Sequence, residues 1–263
     1  MVATINLTLA NRDLVAYFSN WTANFGYNGN GEFSPSTPPH SQWAAGTGNA
    51  SNTGAVLNGS FSYAPPGGFS GTVNNIQFGT DLNGSTATGF SLGSAGLTVG
   101  LTGSDISAAS GFNEAIYSLS HGGSLTGITH SSGRQFAGFY DYFGNVGTVQ
   151  NGTALADTLY SFDGNDTLNG GAGRDTFVFD RDIDGALSAT IGHDTVTGFT
   201  AGASGDLLRF ALQSTAFDSF AEVYAAASQV GLDTVINLGS FGDITLAGVT
   251  KTNLVAGNFE FVA

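Results

Sequence analysis

A short internal repeat constrains the fold of this chain more than any other feature. The triplets Asp157-Thr158-Leu159, Asp166-Thr167-Leu168 and Asp175-Thr176-Phe177 recur at a spacing of nine residues. The last triplet lies in residues 170–178, which match the nonapeptide G-G-x-G-x-D-x-U-x, where U is a large apolar residue. This period predicts a short parallel β-roll, in which each half-turn consists of a glycine-rich loop and a short strand.

The repeat also predicts which side chains face inward and which lie at the edges. Leu159, Leu168 and Phe177 are expected in the interior of the roll, whereas Asp157 and Asp175 are expected to share one edge. Stacked carboxylates repel one another unless a cation lies between them, and Ca²⁺ takes about six to eight flexible oxygen ligands. The repeat therefore predicts calcium sites, and an acidic, solvated loop is the alternative. The candidate calcium ligands are Asp157, Asp166, Asp175, Asp184, as the partner of Asp166, Asp194, and the loop glycines Gly164, Gly171 and Gly173.

These repeats resemble those of RTX proteins, which type I ABC exporters secrete from Gram-negative bacteria. Residues 192–199 and 205–210 resemble the segment that closes such a roll. Residues 258–263 alternate apolar residues with an acid, which resembles an uncleaved type I secretion signal, with an ordinary edge strand as the alternative. The resemblance implies an extracellular protein that is exported unfolded and takes up calcium outside the cell.

A terminal helix and hairpin are predicted after the roll. Residues from Asp218 place Phe220, Val223 and Tyr224 on one face of an amphipathic helix. Residues 234–238 and 243–246 are strand-like and flank a glycine-rich turn, which predicts a hairpin. The C-terminal part is therefore expected to be mainly β.

The charge of the chain divides it into two parts and excludes several partners. Of its 20 acidic and 6 basic side chains, residues 1–150 carry 6 and 2, a net charge of -4, and residues 151–263 carry 14 and 4, a net charge of -10. Domains of residues 1–150 and 151–263 are therefore expected. So few basic residues disfavour nucleic acid and anionic membranes as partners. Membrane insertion and an N-terminal signal peptide are not expected, since no long apolar run is present.

Apolar spacing predicts an α+β fold for the N-terminal domain. Leu14, Phe18, Trp21 and Phe25 fall on one face of a helix that Asn11 can cap. Strand-like segments follow at residues 55–63, 69–78, 89–92 and 97–101, and two further helices are expected around residues 112–119 and 136–143. This order predicts an antiparallel sheet with the helices on one face.

The sequence contains no convincing motif of an enzyme active site, so a non-enzymatic protein is expected. Residues 89–93 match the G-x-S-x-G pattern around Ser91, but such a match arises by chance in a chain rich in glycine and serine, and strand-like residues follow it. No metal-binding H-E-x-x-H, no phosphate-binding loop and no cysteine are present. The four histidines are scattered along the chain.

The N-terminal domain resembles the heme-binding hemophores of the HasA type over residues 5–150. The resemblance rests on the helix that carries Trp21 and on residues 59–63, 73–82 and 113–119. It implies an α+β fold that holds one ferric heme b between two loops, with Tyr63 as one ligand. The opposite loop spans residues 27–52, in which His40 is the only histidine and Asn30 lies nearer the position of the family's histidine.

The chemistry of this ligand pair is consistent with the resemblance. A phenol has a pKa near ~10, so it binds chiefly a strong Lewis acid such as Fe³⁺, whose charge stabilises the phenolate. A secreted hemophore that delivers ferric heme to an outer-membrane receptor, with hemoglobin as a candidate donor, is therefore expected. The alternative is a secreted RTX binding or adhesion protein that keeps the hemophore-like fold without heme.

Overall fold

The structure, a computed structural model, describes residues 2–27, 29, 31–46, 53–64 and 68–262. The chain divides into two compact units. The first unit comprises Met1–Asn6 and Val15–Val146, and the second comprises Leu7–Leu14 and Gly147–Ala263. The sequence predicts a single division near residue 150, whereas in the structure a short N-terminal segment also belongs to the second unit.

The first unit is built on an antiparallel sheet, and its strands include the segments predicted from alternating apolar residues. The predicted strands at residues 89–92 and 97–101 are one continuous strand, because residues 93–96 also stay extended. The strands are β1 (Ala3–Asn6), β2 (Glu32–Ser34), β3 (His40–Gly46), β4 (Gly54–Ala64), β5 (Gly68–Ser85), β6 (Gly89–Gly100), β7 (Ile128–Thr129) and β8 (Gln135–Phe136).

Six of these strands pair in the order β1-β6-β5-β4-β3-β2, and β7 pairs with β8. Every pairing between neighbours in this order is antiparallel. Strands β4 and β5 pair along their whole facing length, from Gly54↔Gly79 to Ala64↔Gly68, with one register shift after Asn58. The hairpin β4–β5 therefore places Tyr63 directly opposite Phe69.

Three helices pack on one face of this sheet, as predicted: α1 (Leu14–Ala23), α2 (Phe112–Gly122) and α3 (Phe139–Val146). The buried ring of Phe78 in β5 makes edge contacts with Phe18 and Trp21 of α1, at 5.1 Å each, and with Phe139 of α3 at 6.0 Å. Phe136, predicted inside the third helix, lies instead in β8. This apolar face is the core of the first unit.

The second unit is mainly β, as predicted. Its strands are short and most of them pair in parallel. Its elements are β9 (Thr148–Asn151), β10 (Thr158–Ser161), β11 (Thr167–Asn169), β12 (Thr176–Asp180), β13 (His193–Thr197), β14 (Leu207–Ala211), α4 (Phe220–Ala226), β15 (Ala227–Val230), β16 (Asp233–Asn237), β17 (Asp243–Leu246) and β18 (Phe259–Phe261).

Successive strands of the second unit alternate between two parallel sheets. One sheet contains β9-β11-β13-β17 and the other contains β10-β12-β14-β18. The chain therefore winds as a coil, which is the arrangement that the nonapeptide period predicts. The inward-facing residues of the repeat, Leu159, Leu168 and Phe177, are fully buried, as expected. Strands β16 and β17 form the predicted hairpin, and β18 is a parallel edge strand on β14.

The segment Leu7–Leu14 extends this coil at its start. The backbone N–H of Leu7 donates to Asn151 O at 2.8 Å, and the N–H of Thr158 donates to Arg12 O at 2.7 Å. The hydroxyl of Tyr160 donates to Asp13 Oδ1 at 2.9 Å. These bonds cover the first strands of both parallel sheets with residues that precede the segment Val15–Val146 of the first unit in the chain.

The helices described in the structure are all too short or too polar to cross a membrane. The longest of them, α2, has 11 residues. It ends where Gly123, at φ 65°, adopts a left-handed conformation and donates its N–H to Leu119 O.

Replacing a residue in the interior of the coil should destabilise the second unit strongly. We expect Leu168→Ala, which removes a fully buried side chain, to lower the free energy of unfolding by about 2–5 kcal/mol. Leu155→Ala is the matched control, because Leu155 is 48% exposed and should cost far less. Urea unfolding followed by far-UV circular dichroism measures both variants, and equal losses would contradict the interior position of Leu168.

Candidate functional site

The two residues expected to bind heme lie in one cluster of rings in the first unit. This aromatic cluster consists of Phe33 in β2, His40 in β3, Phe61 and Tyr63 in β4, and Phe69 in β5. The strand register brings them together, since His40 pairs with Phe61 and Tyr63 pairs with Phe69. The members of the cluster are far apart in the sequence, but the adjacent antiparallel strands bring them close together in space.

Phe33 is the ring that both candidate ligands share. It stacks on Tyr63 with ring centroids 5.4 Å apart, and its centroid lies 4.6 Å from that of His40. Phe69 lies 5.6 Å from Tyr63 and makes an edge contact with Phe112 of α2. The cluster is thereby anchored to the core at Phe69.

Tyr63 and His40 differ in their accessibility. Tyr63 is 40% exposed, whereas His40 is only 6% exposed. The Nδ1 atom of His40 lies 2.7 Å from Pro35 O, and because a carbonyl only accepts, Nδ1 carries the proton in this bond. Of the two side chains, only Tyr63 presents a large part of its surface to a ligand.

The segment predicted as the loop opposite Tyr63 is partly a hairpin. Within residues 27–52, strands β2 and β3 pair from Glu32↔Ala44 to Ser34↔Gln42. The short apolar run Trp43-Ala44-Ala45, which is buried in the structure, is the signal that could have indicated a strand here. Asn30 and residues 47–52 lie outside the described residues, as do Pro65, Pro66 and Gly67 after Tyr63.

Five buried aspartates lie at the two edges of the coil in the second unit. Each is at most 3% exposed, and each directly precedes a parallel strand except Asp194, which is the second residue of β13. Each receives hydrogen bonds from backbone or hydroxyl donors. We call these two rows the aspartate ladders: Asp157, Asp175 and Asp206 on one edge, and Asp166 and Asp194, with Thr148 as first member, on the other.

The first ladder connects successive coils through backbone N–H groups. The N–H of Asp157 donates to Asp175 Oδ1 at 2.9 Å, and the N–H of Asp175 donates to Asp206 Oδ1 at 2.8 Å. The other carboxylate oxygen can also close its own turn, as Asp157 Oδ2 accepts from the N–H of Thr153 at 2.6 Å. The carboxylates of Asp175 and Asp206 thus hold the preceding coil.

The second ladder repeats this arrangement. The N–H of Thr148 donates to Asp166 Oδ1 at 2.6 Å, and the N–H of Asp166 donates to Asp194 Oδ1 at 2.9 Å. Asp166 Oδ2 accepts from the N–H of Phe162 at 2.7 Å, and Asp194 Oδ2 accepts from the Ser161 hydroxyl at 2.8 Å. These carboxylates are satisfied by protein donors.

Burial raises the pKa of three of the ladder aspartates, Asp166, Asp175 and Asp194, despite these bonds. Removal from water disfavours the charged form and raises the pKa of Asp166 to about 7 and that of Asp175 to about 6. Burial, followed by the neighbouring charge of Asp166, raises the pKa of Asp194 well above its ordinary value. The ladders therefore keep carboxyl groups in an environment that favours protonation.

The structure confirms one predicted pairing of aspartates and corrects another. Asp157 and Asp175 share one edge, as expected from their spacing. Asp166, however, is joined to Asp194 rather than to Asp184, because the chain between β12 and β13 leaves the repeat and returns to the coil only at Asp194. Asp184 lies in that connection, where its Oδ1 accepts from the N–H of Ala186 at 2.9 Å.

The loop glycines bring successive coils into direct contact. Gly171 has φ 88°, and a Cβ placed there would lie 2.2 Å from Thr153 O; at Gly173, with φ 127°, it would lie 2.6 Å from the carbonyl carbon of Leu155. Gly164 plays the complementary part, since its O would lie 2.0 Å from a Cβ on Gly192. Gly171, Gly173 and Gly192 exclude side chains because backbone of another turn occupies the space.

The ladders do not fit the calcium sites that the repeat predicts. Among the described residues, no group of three or more His, Cys, Asp or Glu side chains is placed to hold a metal ion. The carboxylate oxygens face N–H and O–H donors, which repel a cation. Among the described buried side chains, only Asp157 Oδ1 and the Tyr142 hydroxyl lack a hydrogen-bond partner. One free carboxylate oxygen is far short of about six ligands.

Sequence reasoning missed three contributors to these two arrangements. Asp206 belongs to the first ladder, and the signal was its position directly before the strand Leu207–Ala211, as with Asp175 before β12. Thr148 occupies the first position of the second ladder, where an aspartate would be expected. Nothing in the sequence around Thr148 indicates this role. Phe33 contacts both candidate ligands, and the sequence alone does not indicate this.

A separate cavity of about 460 Å³ lies beside α1 in the first unit. Its lining includes Tyr17, whose hydroxyl donates to Phe78 O at 2.9 Å, and Trp21, whose Nε1 donates to Gly79 O at 3.1 Å. Burial raises the pKa of Tyr17 to about 12. None of the residues predicted to bind heme or calcium lines this cavity.

Comparison with known proteins finds similarity at the level of solved structures. No family model matches the chain, and no curated protein matches it. Similar structures include the apo hemophore HasA from Yersinia pestis, with a TM-score of 0.36, 22% identity, and coverage of 46% of this chain and 80% of that chain. Holo HasA from the same organism has a TM-score of 0.38 and 19% identity, over 57% of this chain and 99% of that chain.

The raised pKa values predict that the second unit is more stable in mild acid than at neutral pH. Asp166 titrates near 3.8 when unfolded and at about 7 when folded, so the folded state binds more protons between these values. Its contribution to stability is fully present below about pH 4 and is lost as the pH rises through about 7. Thermal unfolding between pH 4.5 and pH 8 should show a falling midpoint, and a rising midpoint would contradict this assignment.

Proposed function

We propose that the first unit binds ferric heme through Tyr63 and that the chain is a secreted hemophore. The observation that carries the proposal is the placement of Tyr63. It is a large, 40% exposed phenol near the end of β4, flanked by the rings of Phe33 and Phe69. The resemblance of residues 59–63 to the hemophore segment that contains the ligand tyrosine gives independent support.

The donor chemistry suits ferric heme. A phenolate oxygen is a hard, anionic ligand, and it stabilises Fe³⁺ relative to Fe²⁺. Aromatic rings beside the ligand supply the apolar surface on which a porphyrin packs. When bound, the heme would supply the iron that is carried, and the chain's own contribution is the phenol, the adjacent rings and their position on adjacent strands.

His40 has a different place in the proposal. It is buried, donates to Pro35 O and contacts Phe33, so it would reach an iron atom only after its surroundings rearrange. We therefore assign ligation to Tyr63 first. His40 is proposed as a second ligand that requires movement of Phe33, or as a support for the cluster when heme has one protein ligand.

The remaining parts of the proposal follow from the sequence resemblances. A carrier of heme would deliver it to an outer-membrane receptor, and hemoglobin is a candidate source of the heme. The coil and the end of the chain resemble RTX proteins, which supports export by a type I ABC exporter to the extracellular space. We propose a binding protein rather than an enzyme.

The Tyr63 hydroxyl should account for most of the affinity for ferric heme. Tyr63→Phe removes only the oxygen and keeps a ring that can stack on Phe33, so folding should be preserved. We expect the affinity for hemin to fall at least about tenfold, which corresponds to about 1.4 kcal/mol. His40→Ala should cost less, and reduction of the iron should weaken binding to the wild type. Absorbance titration in the Soret region measures all three.

Tyr117→Phe is the matched control, since Tyr117 in α2 is also a partly exposed tyrosine of the first unit and lies outside both the aromatic cluster and residues 27–52. Its hemin titration should equal that of the wild type. Unchanged spectra and affinity in Tyr63→Phe would remove the ligand assignment. Absence of any saturable hemin binding by the wild type would favour the alternative of a secreted binding or adhesion protein without heme.

A further inference from the structure

We infer that the second unit folds without calcium, because the aspartate ladders join its coils through backbone N–H groups where the nonapeptide repeat predicts cations. The inference does not depend on heme binding by the first unit. It concerns the coil formed by β9–β14 and the contacts between its successive turns.

The first support is that N–H and O–H donors compensate the negative charge of the carboxylates within each ladder. Asp166 accepts from the N–H and the hydroxyl of Thr148 and from the N–H of Phe162, at 2.6–2.7 Å. Hydrogen bonds from neutral donors to a carboxylate are about twice as strong as those between neutral groups. The donors point at the oxygens that a cation would need, so cation and donors compete for the same positions.

The second support is the close approach of successive coils. The N–H of Ala172 donates to Thr153 O at 3.2 Å, and a Cβ on Gly171 would lie 2.2 Å from that same oxygen. A calcium ion between two turns requires oxygen ligands about 2.3–2.6 Å from the metal on both sides. Here backbone hydrogen bonding closes the gap, and Thr153 O is already engaged.

The third support is that the ladder continues outside the repeat. Asp175 and Asp206 are 31 residues apart, and the turn before Asp206 does not match the nonapeptide, yet their bond has the geometry of that between Asp157 and Asp175. The turn before Asp194 departs from the nonapeptide as well. Coil contacts that persist where the repeat is absent depend on the aspartate and the N–H rather than on a bound cation.

The ladder also explains where a free oxygen remains. Each first-ladder carboxylate accepts from the aspartate N–H of the preceding coil, but no earlier aspartate precedes Asp157 in this ladder. Its Oδ1 is accordingly the buried oxygen without a partner. It marks the start of the ladder.

Thermal unfolding of the full chain tests the inference. Far-UV circular dichroism and limited proteolysis are recorded in excess chelator, in ~10 mM calcium, which exceeds the 10⁻⁴–10⁻³ M affinities of extracellular calcium modules, and in magnesium at equal ionic strength. We expect the same midpoint in calcium and magnesium, and a protease-resistant second unit in chelator. Equal stabilisation by both cations is screening of the net charge of -14 and agrees with the inference.

A midpoint that rises by several degrees in calcium alone, or cleavage within residues 147–262 only in chelator, would overturn the inference. A pair of variants sharpens the comparison. Asp166→Asn places an amide NH₂ against N–H donors and should lower the midpoint by several degrees in chelator and in calcium alike. Asp184→Asn, at the position predicted to partner Asp166 at a calcium site, keeps the oxygen that accepts from Ala186 and should change little.

A milder variant guards against failure of Asp166→Asn to fold. Thr148→Val removes one hydroxyl donor to Asp166 while keeping the shape of the side chain. Its midpoint should fall by the same amount in chelator and in calcium. A loss that occurs only in calcium, for either variant, would show that these groups act through a metal ion and would reject the inference.

Discussion

Buried carboxylates that accept backbone N–H groups are the interactions on which the second unit depends. A short parallel strand offers little apolar surface, so each coil must be fixed to the next at its turns. An aspartate directly before the strand can do this twice, because at Asp166 and Asp206 one oxygen holds the preceding coil and the other accepts an N–H from its own turn. The interior leucines and phenylalanines can then stack in register.

In the first unit, contacts between aromatic rings, rather than buried carboxylates, hold the helices on the sheet. Its antiparallel sheet has one face covered by three helices, and Phe78 joins two of these helices to the sheet. At another part of the same sheet, strands β2 to β5 bring together rings that leave Tyr63 accessible. The rigid scaffold and the exposed phenol are therefore parts of one apolar arrangement, linked through Phe69 and Phe112.

The parts of the fold that could be predicted from the sequence are those encoded by local periodicity. The nine-residue spacing predicted the parallel coil and its buried Leu159, Leu168 and Phe177, and helical spacing predicted the three helices of the first unit. The spacing also predicted that Asp157 and Asp175 share an edge, but the partner of Asp166 could not be predicted, since it depends on which turns become neighbours. Asp166 meets Asp194 only because residues 181–192 form a connection of irregular length.

The candidate heme site shows the same limit. Tyr63 is the last residue of the segment predicted as a strand, residues 55–63, so its position near a strand end could be anticipated. The burial of His40 could not, because it results from pairing with Phe61 and from contact with Phe33, which belongs to a three-residue strand. A histidine in a proline-rich segment is typical of a loop that presents a ligand. Only the pairing of the neighbouring strands shows that His40 is buried.

The segment Leu7–Leu14 has a consequence for the order in which the chain can be assembled. In chain order the segment Val15–Val146 of the first unit is an insertion, since residues of the second unit precede and follow it. The bonds that Arg12 and Leu7 make with Thr158 and Asn151 cannot form until the whole insertion has been synthesised. A fragment that starts at Gly147 would leave these backbone groups without their partners, so one cut in the chain cannot separate two complete domains.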